Sequence, residues 1–111
     1  DGVDWRGLGY TGTIADAVVR RARLAQEAGL DGVVASPLET AAIRSACGSD
    51  FLIVTPGIRP SGTRHDDQRR VMTPAEAIRA GASQIVVGRA IYAEKDPQAA
   101  ASRILKEMEG I

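Results

Sequence analysis

The sequence predicts an α/β fold, in which strand–helix units repeat around a parallel sheet, and three observations carry that reading. Short unbroken runs of apolar, mostly branched residues recur along the chain: LDGVVA at Leu30–Ala35, FLIV at Phe51–Val54 and QIVV at Gln84–Val87. Runs of this length suit strands buried on both faces, the usual setting of a parallel strand. Each run is followed by a Gly or Pro turn and a helix start. Finally, AGLDGVV at Ala28–Val34 is echoed by AGASQIV at Ala80–Val86, each a helix end running into a strand. Three strands leave a parallel sheet with two open edges, so the pattern is that of part of a larger barrel.

Taken in order, residues 1–13 carry Gly2, Gly7, Gly9 and Gly12 with no sustained period and form a loop, with Trp5 and Tyr10 as anchors. Thr13 caps a helix whose apolar positions (Ile14, Ala17, Val18, Ala22, Leu24, Ala25, Ala28) recur at helical spacing and which Gly29 terminates. After the first strand, Ser36-Pro37-Leu38-Glu39 combines a capping box with Pro at the first helical position, opening a helix that ends near Gly48. The second strand, Phe51–Val54, stops at Thr55-Pro56-Gly57 and gives way to a long polar loop reaching Arg70. Thr73-Pro74-Ala75-Glu76 repeats the capping signature for a short helix closed by Gly81. The third strand runs into Gly88-Arg89, and Asp96-Pro97 starts a last helix, Gln98 to about Met108. The expected order is α-β-α-β-α-β-α.

Composition narrows the function classes. The 111 residues allow one small domain, with 44% apolar and 25% charged residues. Fourteen Lys plus Arg balance fourteen Asp plus Glu, so no global field draws the chain to nucleic acid or an acidic membrane. No apolar run approaches the roughly 18 residues of a membrane span, and no signal peptide is visible. The lone Cys47 rules out an internal disulfide and fits a reducing compartment. The chain starts at Asp1 without an initiator Met, as a processed product or a piece of a longer protein would.

The chemistry concentrates where strands end. Ligands of parallel α/β proteins bind at the carboxyl ends of the strands. Arg59 follows the second strand and Gly88-Arg89 follows the third, and consecutive strands in a right-handed β/α array are neighbours. Two planar guanidinium forks, a glycine allowing close backbone approach and the amides of Arg89 to Ile91 at a short helix start suit a phosphate. The alternative is that Arg59 and Arg89 are surface residues paired with Asp66, Asp67 or Glu94. Ser36 is well placed as an N-cap, and it also faces the same mouth as a ligand contact. His65 has no metal-ligand partner at suitable spacing, Asp66-Asp67 reads as a solvated loop run, and Cys47 as a small buried residue. No metal site and no nucleophilic triad can be assembled, and Lys95 and Lys106 fall in or beside the last helix rather than at a strand end.

Three segments in order carry a family resemblance: DGVVASPLE (Asp31–Glu39), DFLIVTPGIRPSGTRHDDQRRVMTPAEAIRAGA (Asp50–Ala82) and VVGRAIY (Val86–Tyr92). Together they closely resemble the C-terminal half of bacterial orotidine 5′-phosphate decarboxylases, over nearly the whole chain from about Gly9. The family is a (β/α)8 TIM barrel, usually a homodimer and cytoplasmic, that converts orotidine 5′-monophosphate to UMP and CO2 in pyrimidine synthesis without cofactor or metal. The resemblance implies a (β/α)8 barrel portion with three parallel strands and flanking helices. It implies that Arg59, Gln68 and Arg89 hold the 5′-phosphate, with Gly88 giving close approach, while Ser36 contacts the pyrimidine edge and Pro56 lines its pocket. The residues between Pro60 and Arg70 look like a loop that closes over the nucleotide.

The family's catalytic Asp-x-Lys-x-x-Asp array follows its third strand, and nothing in this chain matches it. On that comparison the chain begins in the loop after the fifth strand, lacks the Lys that protonates C6, and has no catalytic residue of its own. Two other functions stay open: a noncatalytic, self-associating half-barrel that binds phosphate, and a related sugar-phosphate barrel such as a hexulose-phosphate synthase. A homo-oligomer is expected, since open sheet edges and an uncovered apolar face favour association.

Overall fold

The computed structural model describes residues 12–59 and 72–109. Helix α1 (Ile14–Glu27) leads into strand β1 (Gly32–Val34), helix α2 (Pro37–Cys47) and strand β2 (Leu52–Thr55). After residues 60–71 come helix α3 (Pro74–Ala80), strand β3 (Gln84–Ile85) and helices α4 (Arg89–Tyr92) and α5 (Pro97–Glu109). The expected alternation holds, with one addition: the turn after β3 winds into a separate helix, α4, before α5. The N-terminal loop expected over residues 1–13 lies outside the described residues except for Gly12 and Thr13.

The strands form one parallel sheet in the order β1-β2-β3. Val34 pairs with Val54, and Val54 with Gln84, so the carboxyl ends of all three strands lie along one rim. The strands are shorter than their apolar runs for local reasons. Leu30 is tied to the end of α1, its N–H donating to Ala25 O at 3.0 Å beside the left-handed Gly29. At the other end β3 breaks off after Ile85, although Val86 N–H still reaches Thr55 O at 3.0 Å. Thr55, expected in the turn, is the last residue of β2.

Burial follows the two-residue period of the sheet. Ile53 and Thr55 are fully buried, and Ile53 packs with Ala22, Ala35, Ile43, Cys47 and Phe51 under α1 and α2. A second cluster, Ile58, Ala77 and Ala82 with Met72, Ile85 and Val87, lies around α3. Cys47 is buried as expected. Burial of the strands on both faces is not found in the described chain. Val34, Leu52 and Val86, on the opposite pleat, are 73%, 49% and 52% exposed, and among the described residues no helix or strand covers that face. Gly32 is required by this pairing, since a Cβ there would run into the Leu52 carbonyl.

The helix caps follow the sequence signals with one difference. Thr73 and Glu76 form the full reciprocal capping box: Glu76 N–H donates to Thr73 Oγ1 at 3.2 Å and Thr73 N–H to Glu76 Oε1 at 2.9 Å. At α2, Ser36 Oγ instead accepts from Leu38 N–H at 3.2 Å, one position short of the expected box, while Glu39 N–H bonds to the Ser36 carbonyl. Asp96 caps α5 through Ala99 N–H.

Arg44, which the sequence reading passed over, clamps the amino-terminal side of the sheet. Its guanidinium donates to the carbonyls of Gly48 (2.6 Å), Phe51 (2.5 Å) and Gly81 (2.8 and 3.0 Å) and to Ser83 Oγ (3.1 Å). Five N–H groups in a fixed fork thereby tie α2 to the entries of β2 and β3.

Candidate anion-binding site

The rim of strand ends holds an open cleft of about 240 Å³ lined by two consecutive turns. Gly57, Ile58 and Arg59 come from the turn after β2; Val86, Gly88, Arg89 and Tyr92 come from the turn after β3 and from α4. The parallel register of β2 and β3 is what brings the two turns together.

Each position has a local cause. Pro56 ends β2, and Gly57 takes φ 75°, a left-handed conformation that favours glycine and redirects the chain over the rim. Ile58 is buried in the second core cluster and forms a parallel bridge with Met72. Arg59 N–H donates to Met72 O at 2.9 Å, so the backbone under the Arg59 side chain is fixed. Gly88 caps α4 with φ −109°, and a Cβ there would meet only the Tyr92 ring, at 3.5 Å. Among the described residues nothing else comes within 4 Å of that position.

The helix start expected after Gly88 is present, but its amides are not all directed outward. Ile91 N–H bonds to Gly88 O at 2.9 Å and Tyr92 N–H to the same oxygen at 3.2 Å. The first two amides of the turn, of Arg89 and Ala90, are the ones left at its open end. Among the described residues neither Arg59 nor Arg89 has an ion-pair partner, Glu94 included. Asp66 and Asp67, the other partners weighed for them, lie outside the described residues.

Of the residues singled out from the sequence, Arg59, Gly88 and Arg89 meet in this cleft. Ser36 and Pro56 stand at the ends of β1 and β2 on the same rim, both half-buried and outside the cleft lining. Ser36 has the capping role expected of it. Gln68, with the polar loop expected to close over a ligand, lies outside the described residues, as does His65. Tyr92 and Ile58 were missed; Tyr92 lies three residues after Arg89 on α4, a spacing that places the two on neighbouring turns. Among the described residues no cluster of His, Cys, Asp or Glu could hold a metal, and no helix is long and apolar enough to cross a membrane.

Two guanidinium groups and a glycine turn at the carboxyl ends of adjacent parallel strands form a site suited to a phosphate monoester. Comparison with known proteins gives this geometry its context. The sequence model of the orotidine 5′-phosphate decarboxylase / HUMPS family matches residues 3–104. The chain is 59% identical over 103 residues to an orotidine 5′-phosphate decarboxylase of Geobacter metallireducens, covering 93% of this chain and 43% of that protein. With the same enzyme of Moorella thermoacetica it shares 60% identity over 102 residues, 92% of this chain and 40% of the relative. Among solved structures, orotidine 5′-phosphate decarboxylase from Lactobacillus acidophilus superposes with a TM-score of 0.78 at 40% identity, covering 97% of this chain and 43% of that one. The enzyme from Pyrococcus horikoshii gives 0.68 at 32% identity, covering 88% and 44%. The chain thus spans less than half the length of these relatives, and its three parallel strands with flanking helices correspond to part of their TIM barrel. By sequence and by fold, the chain belongs to the orotidine 5′-phosphate decarboxylase / HUMPS family.

Proposed function

We propose that this chain is the phosphate-binding part of an orotidine 5′-phosphate decarboxylase, which converts orotidine 5′-monophosphate to UMP and CO2. The observation that carries the reading is the convergence of Arg59 and Arg89 with Gly57 and Gly88 in one cleft at the rim of the sheet. Among the described residues neither guanidinium group has an ion-pair partner, which supports a role toward a ligand's phosphate oxygens. Among the described residues a Cβ at Gly88 would meet only the Tyr92 ring, which leaves room for an anion against the backbone. Gln68 adds a neutral donor from the following loop, while Ser36 and Pro56, farther along the rim, receive the pyrimidine.

In this scheme the chain's residues bind and orient; they do not transfer the proton. A grip on the remote phosphate supplies binding energy that can be used to close the site and exclude water around the reacting carbon. The proton donor belongs to the Asp-x-Lys-x-x-Asp array, which these 111 residues do not contain. Residues 1–111 act as one partial-barrel domain. The uncovered pleat of Val34, Leu52 and Val86, together with the open edges of β1 and β3, supports a homo-oligomer. We place the reaction in the cytoplasm, where a free thiol such as Cys47 stays reduced.

The test is release of CO2 and formation of UMP from orotidine 5′-monophosphate by the product of the complete reading frame. Turnover that Arg59→Ala and Arg89→Ala each lower is the expected result. The 111 residues by themselves should show no turnover. A complete product that ignores orotidine 5′-monophosphate but processes a sugar phosphate would overturn the assignment.

A further inference from the structure

We propose that Thr40 and Thr55 form a positioning pair that ties the base side of the site to its phosphate side. The inference rests on the functional reading above and concerns residues that reading leaves unused. Both threonines are fully buried, Thr40 on α2 and Thr55 at the end of β2. Thr40 Oγ1 donates to the Ser36 carbonyl at 3.0 Å, and the two threonine hydroxyls lie 3.0 Å apart. A hydroxyl has one proton. With Thr40's proton committed to Ser36, the contact between the threonines is made by the Thr55 hydroxyl donating to Thr40 Oγ1. The bonds therefore run in one direction, Thr55 to Thr40 to Ser36.

Thr55 is also the last strand residue before Pro56, Gly57 and Arg59, and its carbonyl accepts from Val86 N–H at 3.0 Å, two residues before Gly88. One side chain and one carbonyl of Thr55 thus connect the Ser36 turn, the Arg59 turn and the Gly88–Arg89 turn. Ser36 itself is held by three bonds: its carbonyl accepts from Thr40 Oγ1 and from Glu39 N–H at 3.1 Å, and its Oγ accepts from Leu38 N–H at 3.2 Å, which leaves the Ser36 hydroxyl proton to be donated to a ligand. A simple apolar packing of α2 on β2 would have served stability as well. Two buried hydroxyls in series fix where Ser36 stands relative to the phosphate grip.

The experiment uses the product of the complete reading frame and two ligands, UMP and ribose 5-phosphate. Their affinity ratio isolates the gain contributed by the base. Thr40→Val should lower that gain about three- to tenfold, the effect of one hydrogen bond, with ribose 5-phosphate changed less than twofold. Thr40→Ser, which keeps the hydroxyl, should retain the gain. The double variant Thr40→Val/Thr55→Val removes both buried hydroxyls, so its melting temperature should return close to that of the wild type while the gain stays lost. A double variant that recovers the base-dependent gain would overturn the pair, as would equal weakening of both ligands, or no change, in Thr40→Val. Failure of the wild type to bind either ligand would instead defeat the functional reading, and the inference with it.

Discussion

Arg89 opens α4 at the rim of the sheet, directly after Gly88. If its guanidinium serves a phosphate, the loss in Arg89→Ala should be selective for the charge on the ligand. Hydrogen bonds involving a charged group contribute roughly 1.5–3 kcal/mol each, or about one to two orders of magnitude in affinity. UMP should weaken by that amount in the product of the complete reading frame, with uridine scarcely affected, as calorimetry would show. Equal weakening of both would return Arg89 to a structural role. Gly88→Ala is the companion substitution: its methyl group, 3.5 Å from the Tyr92 ring, would occupy space offered to the anion. At this scale the sequence was informative where chemistry and position coincide. Arg59, Gly88 and Arg89 each follow an apolar run, and strand ends are where ligands sit. Tyr92, Thr40 and Thr55 were not legible. Their importance depends on which helix turn or pleat they occupy, and a threonine in a strand reads as an ordinary β-former.

At the scale of elements, caps and glycines announced the helices closely, because each signal acts within four residues of itself. Strand ends were less legible, since a parallel strand extends only as far as its neighbour's ladder, which is nonlocal information. The clearest case is Arg44. Nothing in its local sequence indicates that its guanidinium spans to carbonyls at Gly48, Phe51 and Gly81. Those carbonyls cap the entries of two strands, and a lysine cannot reproduce the planar fork. Arg44→Lys should therefore cost about 1–3 kcal/mol in denaturant unfolding, with Arg44→Ala at least as severe. A Lys variant as stable as the wild type would show that the clamp is redundant.

For the whole molecule, the family and the barrel portion were legible because three long segments match in order, whereas no single one suffices. An uncovered apolar face was expected; which residues line it was not legible. Apolar runs indicate strands that are buried somewhere, and they do not say whether the covering layer lies within the same 111 residues. Val34, Leu52 and Val86 now define the uncovered side. The isolated 111 residues should accordingly associate, and light scattering at micromolar concentration should report a mass above the 11.7 kDa of one chain. A compact monomer would refute this. Leu52→Asn, on the open pleat, should shift the assembly toward monomer without loosening the Ile53 core.

The Ile58–Met72 bridge has a consequence for how this rim can change over generations. Two residues paired in parallel, with Arg59 N–H on Met72 O, fasten both feet of the intervening segment to the scaffold. Every residue but proline brings the same backbone donor and acceptor, so this pairing depends little on which side chains flank it. Substitutions around the anchor can therefore accumulate over descent while the Arg59 backbone stays in register with Met72.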